Sequence, residues 1–191
     1  MPKPPRIYLA GPEVFLPDAR AAGARKEALC RAHGFVGVFP LDAQIALAGL
    51  TKFEQARRIS ASNEALIRSC DLLVANLTPF RGVSADAGTA FEVGFMRALG
   101  RPVLGYTNVP DDYARRARTY RALSPHPADC DGPNIDIEDF DLADNLMIEI
   151  AIQASGSRLV RVEAAPGERM TDLRGFVLCL AEARRLIPSE S

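Results

Sequence analysis

The chain of 191 residues has no tryptophan, only two histidines and only four cysteines. His33 and His126 are isolated from each other. Cys30, Cys70, Cys130 and Cys179 lie tens of residues apart, which is neither a zinc spacing nor the density of a disulfide scaffold. The cysteines therefore read as free thiols, and no metal site is expected. No apolar run approaches the roughly 18 residues that a membrane span needs, and residues 1–6 lack the apolar stretch of a secretory leader. The expected location is the cytoplasm. Charge of one sign is also lacking: 23 Lys and Arg face 24 Asp and Glu, for a net −1, which argues against a nucleic-acid partner. No Gly-x-Gly-x-x-Gly follows the first strand-like segment and no Gly-x4-Gly-Lys-Ser/Thr occurs, so the usual dinucleotide and P-loop readings lose their main support.

What is present is an ordinary globular composition, 48% apolar and 25% charged, at a length that buries one sizeable core. Short apolar runs at residues 7–10, 35–39, 71–77 and 101–106 alternate with helical patterns at 18–33, 52–69 and 86–99. Gly34 and Gly100 stand where helices stop. This order predicts an α/β fold, a flavodoxin- or Rossmann-like parallel sheet flanked by helices on both faces. Residues 111–141, rich in Arg, Pro and Asp, read as a surface excursion. Further helices are expected at 143–154 and 171–187. One domain over 1–154 and a C-terminal extension over 155–191, packed on that domain or at a subunit interface, is the expected organisation.

Ligands of such sheets bind beyond the carboxyl ends of the strands. The loops there hold Gly11-Pro12-Glu13, Pro40 to Gln44, and Thr78 to Asp86. The helix that follows, 86–99, is apolar on nearly every side, as if buried between sheet and neighbouring subunit, and Glu92 breaks the pattern. Its helical neighbours include Gly88, Thr89, Phe95 and Met96. A carboxylate among such groups is costly to bury, and sites of this kind carry shifted pKa values and chemistry. Asp86, one and a half turns earlier, reads as a helix cap and also as a second acid bordering the same pocket. Two acids at one pocket divide the work of glycosidic chemistry. Gly88 leaves room for a ligand to approach the helix.

Tyr8-Leu-Ala-Gly11-Pro12, Ala75-Asn-Leu-Thr-Pro-Phe-Arg-Gly82, Asp86-Ala-Gly-Thr-Ala-Phe-Glu92-Val-Gly-Phe and Ala143-Asp-Asn145-Leu-Met147 resemble, in this order, the motifs of nucleoside 2-deoxyribosyltransferases. The resemblance implies exchange of the base of a 2′-deoxynucleoside through a covalent deoxyribosyl-enzyme, without cofactor, in a homo-oligomer with shared active sites. It is a pentosyltransferase (glycosyltransferase) reaction of nucleotide salvage. It makes Glu92 the nucleophile, has Asp86 bind the base and assist its protonation, and has Tyr8 orient the nucleophile. Gly11 and Gly88 line the pocket, Gln44 contacts the base, and Asn63 stands where some members carry an aspartate. Asn145, with Met147 beside it, reaches a neighbouring subunit's sugar. Phe15, Phe91 and Phe95 are candidates to pack on the base. Two other readings are a hydrolase of deoxynucleosides or their 5′-monophosphates, and a noncatalytic nucleoside sensor. Glu13, in the loop after the first strand, is expected to repel a phosphate and so to favour nucleosides.

Overall fold

A computed structural model describes residues 3–42, 45–123 and 135–187. Five strands, β1 (Arg6–Ala10), β2 (Val36–Val38), β3 (Leu72–Asn76), β4 (Val103–Thr107) and β5 (Val160–Arg161), form one sheet in the order β2-β1-β3-β4-β5, with every neighbouring pair parallel. The helices are α1 (Ala19–Ala32), α2 (Lys52–Arg68), α3 (Ala87–Ala98), α4 (Tyr113–Leu123), α5 (Leu146–Gln153) and α6 (Arg174–Leu186). The α/β fold is the one the alternation of patterns implies. The chain leaves β1 toward β2 on one side and later returns to place β3 on the other, so the topological switch lies between β1 and β3.

Strand periodicity sorts the two cores. Tyr8, Ala10, Leu73 and Ala75 point to the face covered by α2, α3 and α5, where Ile67, Val93, Met96, Ile148 and Ile152 meet them. Ile7, Leu9, Leu72, Val74 and Tyr106 point to the opposite face, against Cys30 of α1 and Phe176, Cys179 and Leu180 of α6. Helix ends follow local chemistry. Thr51 and Glu54 form a reciprocal capping box at α2, while Asp86 and Asn145 cap α3 and α5. Gly34 and Gly100, with φ of 81° and 70°, end α1 and α3 in the left-handed conformation that glycine adopts without penalty.

The structure departs from the sequence expectation in three places. The region read as a surface excursion contains α4, a helix with one buried residue, Ala114. A fifth strand at Val160–Arg161 extends the sheet, paired with Tyr106 and Thr107 of β4. The apolar stripe of α2 is buried only at its C-terminal end: Ile67 is in the core, whereas among the described residues Phe53 is 77% exposed. Among the described residues no helix is long and apolar enough to cross a membrane.

Candidate active site

Because Tyr8 lies on the α3 side of β1, its side chain runs beneath the second turn of α3. There its hydroxyl donates a hydrogen bond of 2.6 Å to Glu92 Oε1. Tyr8 is fully buried. Burial first, then the neighbouring Glu92 carboxylate, pushes its phenol pKa far up, so it remains a proton donor to Glu92 at any ordinary pH. Burial also raises the Glu92 pKa to about 7; the Tyr8 hydrogen bond opposes the rise and the Asp86 charge adds to it. The result is a carboxylate anchored through one oxygen, with no hydrogen bond to Oε2 among the described residues, and with its ionisation moved toward neutrality.

Asp86 fills the capping role that the sequence leaves open to it. Its Oδ2 caps α3, accepting from Thr89 N at 3.0 Å and from Thr89 Oγ1 at 3.3 Å, and its charge bears on Glu92. Gly88 sits against it, since a β-carbon there would stand 3.0 Å from Asp86 Oδ2. Tyr8, Asp86, Gly88 and Glu92 thus converge at the switch between β1 and β3. Gly11 follows β1 at the same edge of the sheet, and its lack of a side chain has a packing reason. A β-carbon there would lie 2.1 Å from Glu13 Oε2 and 2.9 Å from Asn76 Cβ.

The expectation that Glu13 repels a phosphate is overturned. Glu13 is 2% exposed and ion-paired with Lys26, itself 1% exposed, and it accepts from Asn76 Nδ2 at 2.9 Å and Tyr106 OH at 3.2 Å. Its charge is compensated inside the α1/α6 core, so it contributes little net field at the pocket mouth. At that mouth Phe15, half exposed, stacks on Phe80 with ring centroids 5.3 Å apart and planes 11° apart. Arg81 lies over both rings. Phe95 packs against the core under Arg68, and Phe91 faces solvent.

Gln44 lies outside the described residues. Asn63 is partly buried, and among the described residues its side-chain oxygen, shut off from solvent, has no hydrogen-bond partner. Asn145 Oδ1 accepts from Met147 N at 3.0 Å, and its Nδ2 donates to Glu138 at 2.8 Å, while Met147 projects into solvent at 74% exposure. Glu138 was not foreseen in the sequence, since it precedes the helix by eight residues and nothing in its neighbourhood marks a capping partner.

The family model for nucleoside 2-deoxyribosyltransferase matches residues 7–147. An uncharacterized Schizosaccharomyces pombe protein is 33% identical over 170 residues, covering 81% of this chain and 80% of its own. A 2-desoxiribosyltransferase from Leishmania mexicana superimposes with a TM-score of 0.58 at 32% identity, covering 76% of this chain and 85% of that one. A conserved protein from Enterococcus faecalis V583 shares the fold, with a TM-score of 0.54 at 21% identity over 94% of this chain and 98% of its own.

Proposed function

Since the chain belongs to the nucleoside 2-deoxyribosyltransferase family, we propose that it moves 2-deoxyribose between nucleobases through a covalent sugar ester on Glu92. The observation that carries this reading is the carboxylate held at 2.6 Å by a fully buried phenol, with its pKa raised to about 7. Glu92 Oε2 bonds to the anomeric carbon as the carbon–nitrogen bond breaks. The electron pair leaves with the base, which Asp86 binds and helps to protonate. A second base then attacks the ester from the face the first one left, and two inversions give net retention. A sugar without a 2′-hydroxyl reaches the oxocarbenium-like state more readily than ribose, so carboxylate and proton handling suffice without a cofactor.

The test is incubation with deoxyinosine and free adenine, followed by chromatography of bases and nucleosides. Deoxyadenosine accumulates faster than free deoxyribose, because a bound acceptor base competes with water at high effective concentration. Hypoxanthine released at one rate with or without adenine, and no deoxyadenosine, would replace transfer by hydrolysis. Running deoxyadenosine 5′-monophosphate in parallel decides the nucleotide variant, which Glu13 does not exclude.

The reading includes a second copy of the chain. Phe91 of α3 is 58% exposed, and Met147 and Ile150 of the adjacent α5 are 74% and 45% exposed, an apolar surface of the kind that interfaces cover. Asn145 keeps one amide hydrogen beyond its own cap with which to reach a neighbour's sugar. Mixing inactive Glu92→Ala protein with inactive Asn145→Ala protein restores part of the activity once subunits exchange. No recovery after demonstrated exchange, or a fully active monomer, counts against the shared site.

A further inference from the structure

The segments carrying Asp86 and Asn145 are joined by a buried acid that has no task in the reaction described above. Asp144 is 1% exposed. One of its oxygens accepts the Ser84 hydroxyl and, at 2.8 Å, the backbone N–H of Asn145, and the other accepts the N–H of Ala85 at 2.8 Å. A single carboxylate thus ties the residues leading into α3 to the residue that caps α5. Arg116 of α4 reinforces the tie by donating to the carbonyls of Val83 at 2.9 Å and Ala143 at 2.5 Å. Hydrogen bonds to a charged acceptor are among the stronger ones, and together these offset the cost of burying Asp144.

We propose that Asp144 is a positioning residue for the reaction: it fixes the 84–86 segment, and with it the Asp86 carboxylate, to the first turn of α5, so that Asp86 and Asn145 keep one spacing. The proposal rests on the roles given to Asp86 and Glu92 above. It also implies that the acid of a chain's own pocket and the amide lent to its neighbour move as one body.

The ionisable groups that bear on Glu92 are Tyr8 from β1 and Asp86 at the head of α3, with Cys70 bearing on Tyr8 in turn. Asp86 raises the Glu92 pKa, so a segment released from Asp144 lets Asp86 move away and the Glu92 pKa fall. Carbon-detected NMR titration of the Glu92 carboxyl reads this without any substrate. Asp144→Asn turns an amide N–H₂ toward backbone donors and lowers the Glu92 midpoint by about 0.5 pH unit, in the direction that Asp86→Asn lowers it. Ser84→Ala removes one tether while leaving the Asp144 charge in place, and shifts the midpoint the same way by a smaller amount. Once Asp86 is Asn, adding Asp144→Asn shifts it no further.

In the transfer assay kcat/KM of Asp144→Asn falls about tenfold. An unchanged midpoint in Asp144→Asn and Ser84→Ala overturns the proposal. So does a shift that adds in full to that of Asp86→Asn, which would mean that Asp144 acts by its own charge. If Asp144→Asn does not fold, Ser84→Ala decides alone. A wild type that transfers no sugar refutes the proposed function and leaves the titration result to be judged separately.

Discussion

Replacing Glu92 with alanine lowers deoxyribosyl transfer by about 10⁴-fold or more, the scale of loss when a covalent nucleophile is removed, and the protein stays folded. The wild type incubated with a slow 2-fluoro sugar analogue gains one sugar mass on the peptide containing Glu92. An adduct on another residue, or an alanine variant of undiminished activity, ends the assignment. The ionisation of the same group sets the pH dependence. The nucleophile acts as the carboxylate, so kcat/KM falls as pH drops through about 7. Stability moves the other way. A folded pKa of about 7 against an ordinary 4.5 means that the folded state holds its proton more tightly than the unfolded one. The stabilisation is complete below pH about 4.5 and is lost as pH rises through about 7. The isosteric Glu92→Gln therefore gains on the wild type between pH 5 and pH 8, by about 2–3 kcal/mol at most. Melting curves at the two pH values check it.

Lys26→Met costs about 3–5 kcal/mol, or about 10–15 °C in melting temperature for a chain of this size. The reason is the isolation of the pair. Lys26 and Glu13 are both nearly inaccessible, and the ammonium sits between the rings of Tyr106 and Phe176, 5.5 Å and 5.2 Å from their centroids. Removing the lysine leaves a carboxylate in the core with, among the described residues, only Asn76 and Tyr106 as donors. The double variant Glu13→Gln/Lys26→Met recovers most of the loss, because a neutral amide keeps an acceptor for those two donors and leaves no unpaired charge. A single variant that melts within about 2 °C of the wild type would remove the pair from the account of stability.

The sheet and the exceptional position of Glu92 were legible in the sequence for a simple reason: both depend on local pattern. Short apolar runs bounded by Gly and Pro mark the strands, and Glu92 stands out because its helix is otherwise apolar, whereas the part of Tyr8 is implied only by the family resemblance. Helix α4 was missed because Tyr-Ala-Arg-Arg-Ala-Arg-Thr-Tyr-Arg-Ala-Leu carries no apolar stripe. Strand β5, at two residues, is too short to show a period. Glu13 was misread because its partner is thirteen residues away on a helix, where nothing local announces that a lysine turns inward. Asp144 is the same case at longer range. Its donors Ser84 and Ala85 lie 60 and 59 residues back, and only the fold brings them together.

The sheet separates two acids, a half-buried Glu92 and a buried Glu13. Glu92 lies on the face of α2, α3 and α5, and Glu13 on the face of α1 and α6. The first is left short of compensation, the second is given a lysine. One layer of sheet stands between Glu92 and the Glu13–Lys26 ion pair of the opposite core. Substitutions in the loops around Glu92 therefore leave the Glu13–Lys26 pair, and the stability that rests on it, undisturbed. Under the proposed function, an engineer altering base choice has the α3 side to work on and can leave positions 13, 26, 76 and 106 untouched.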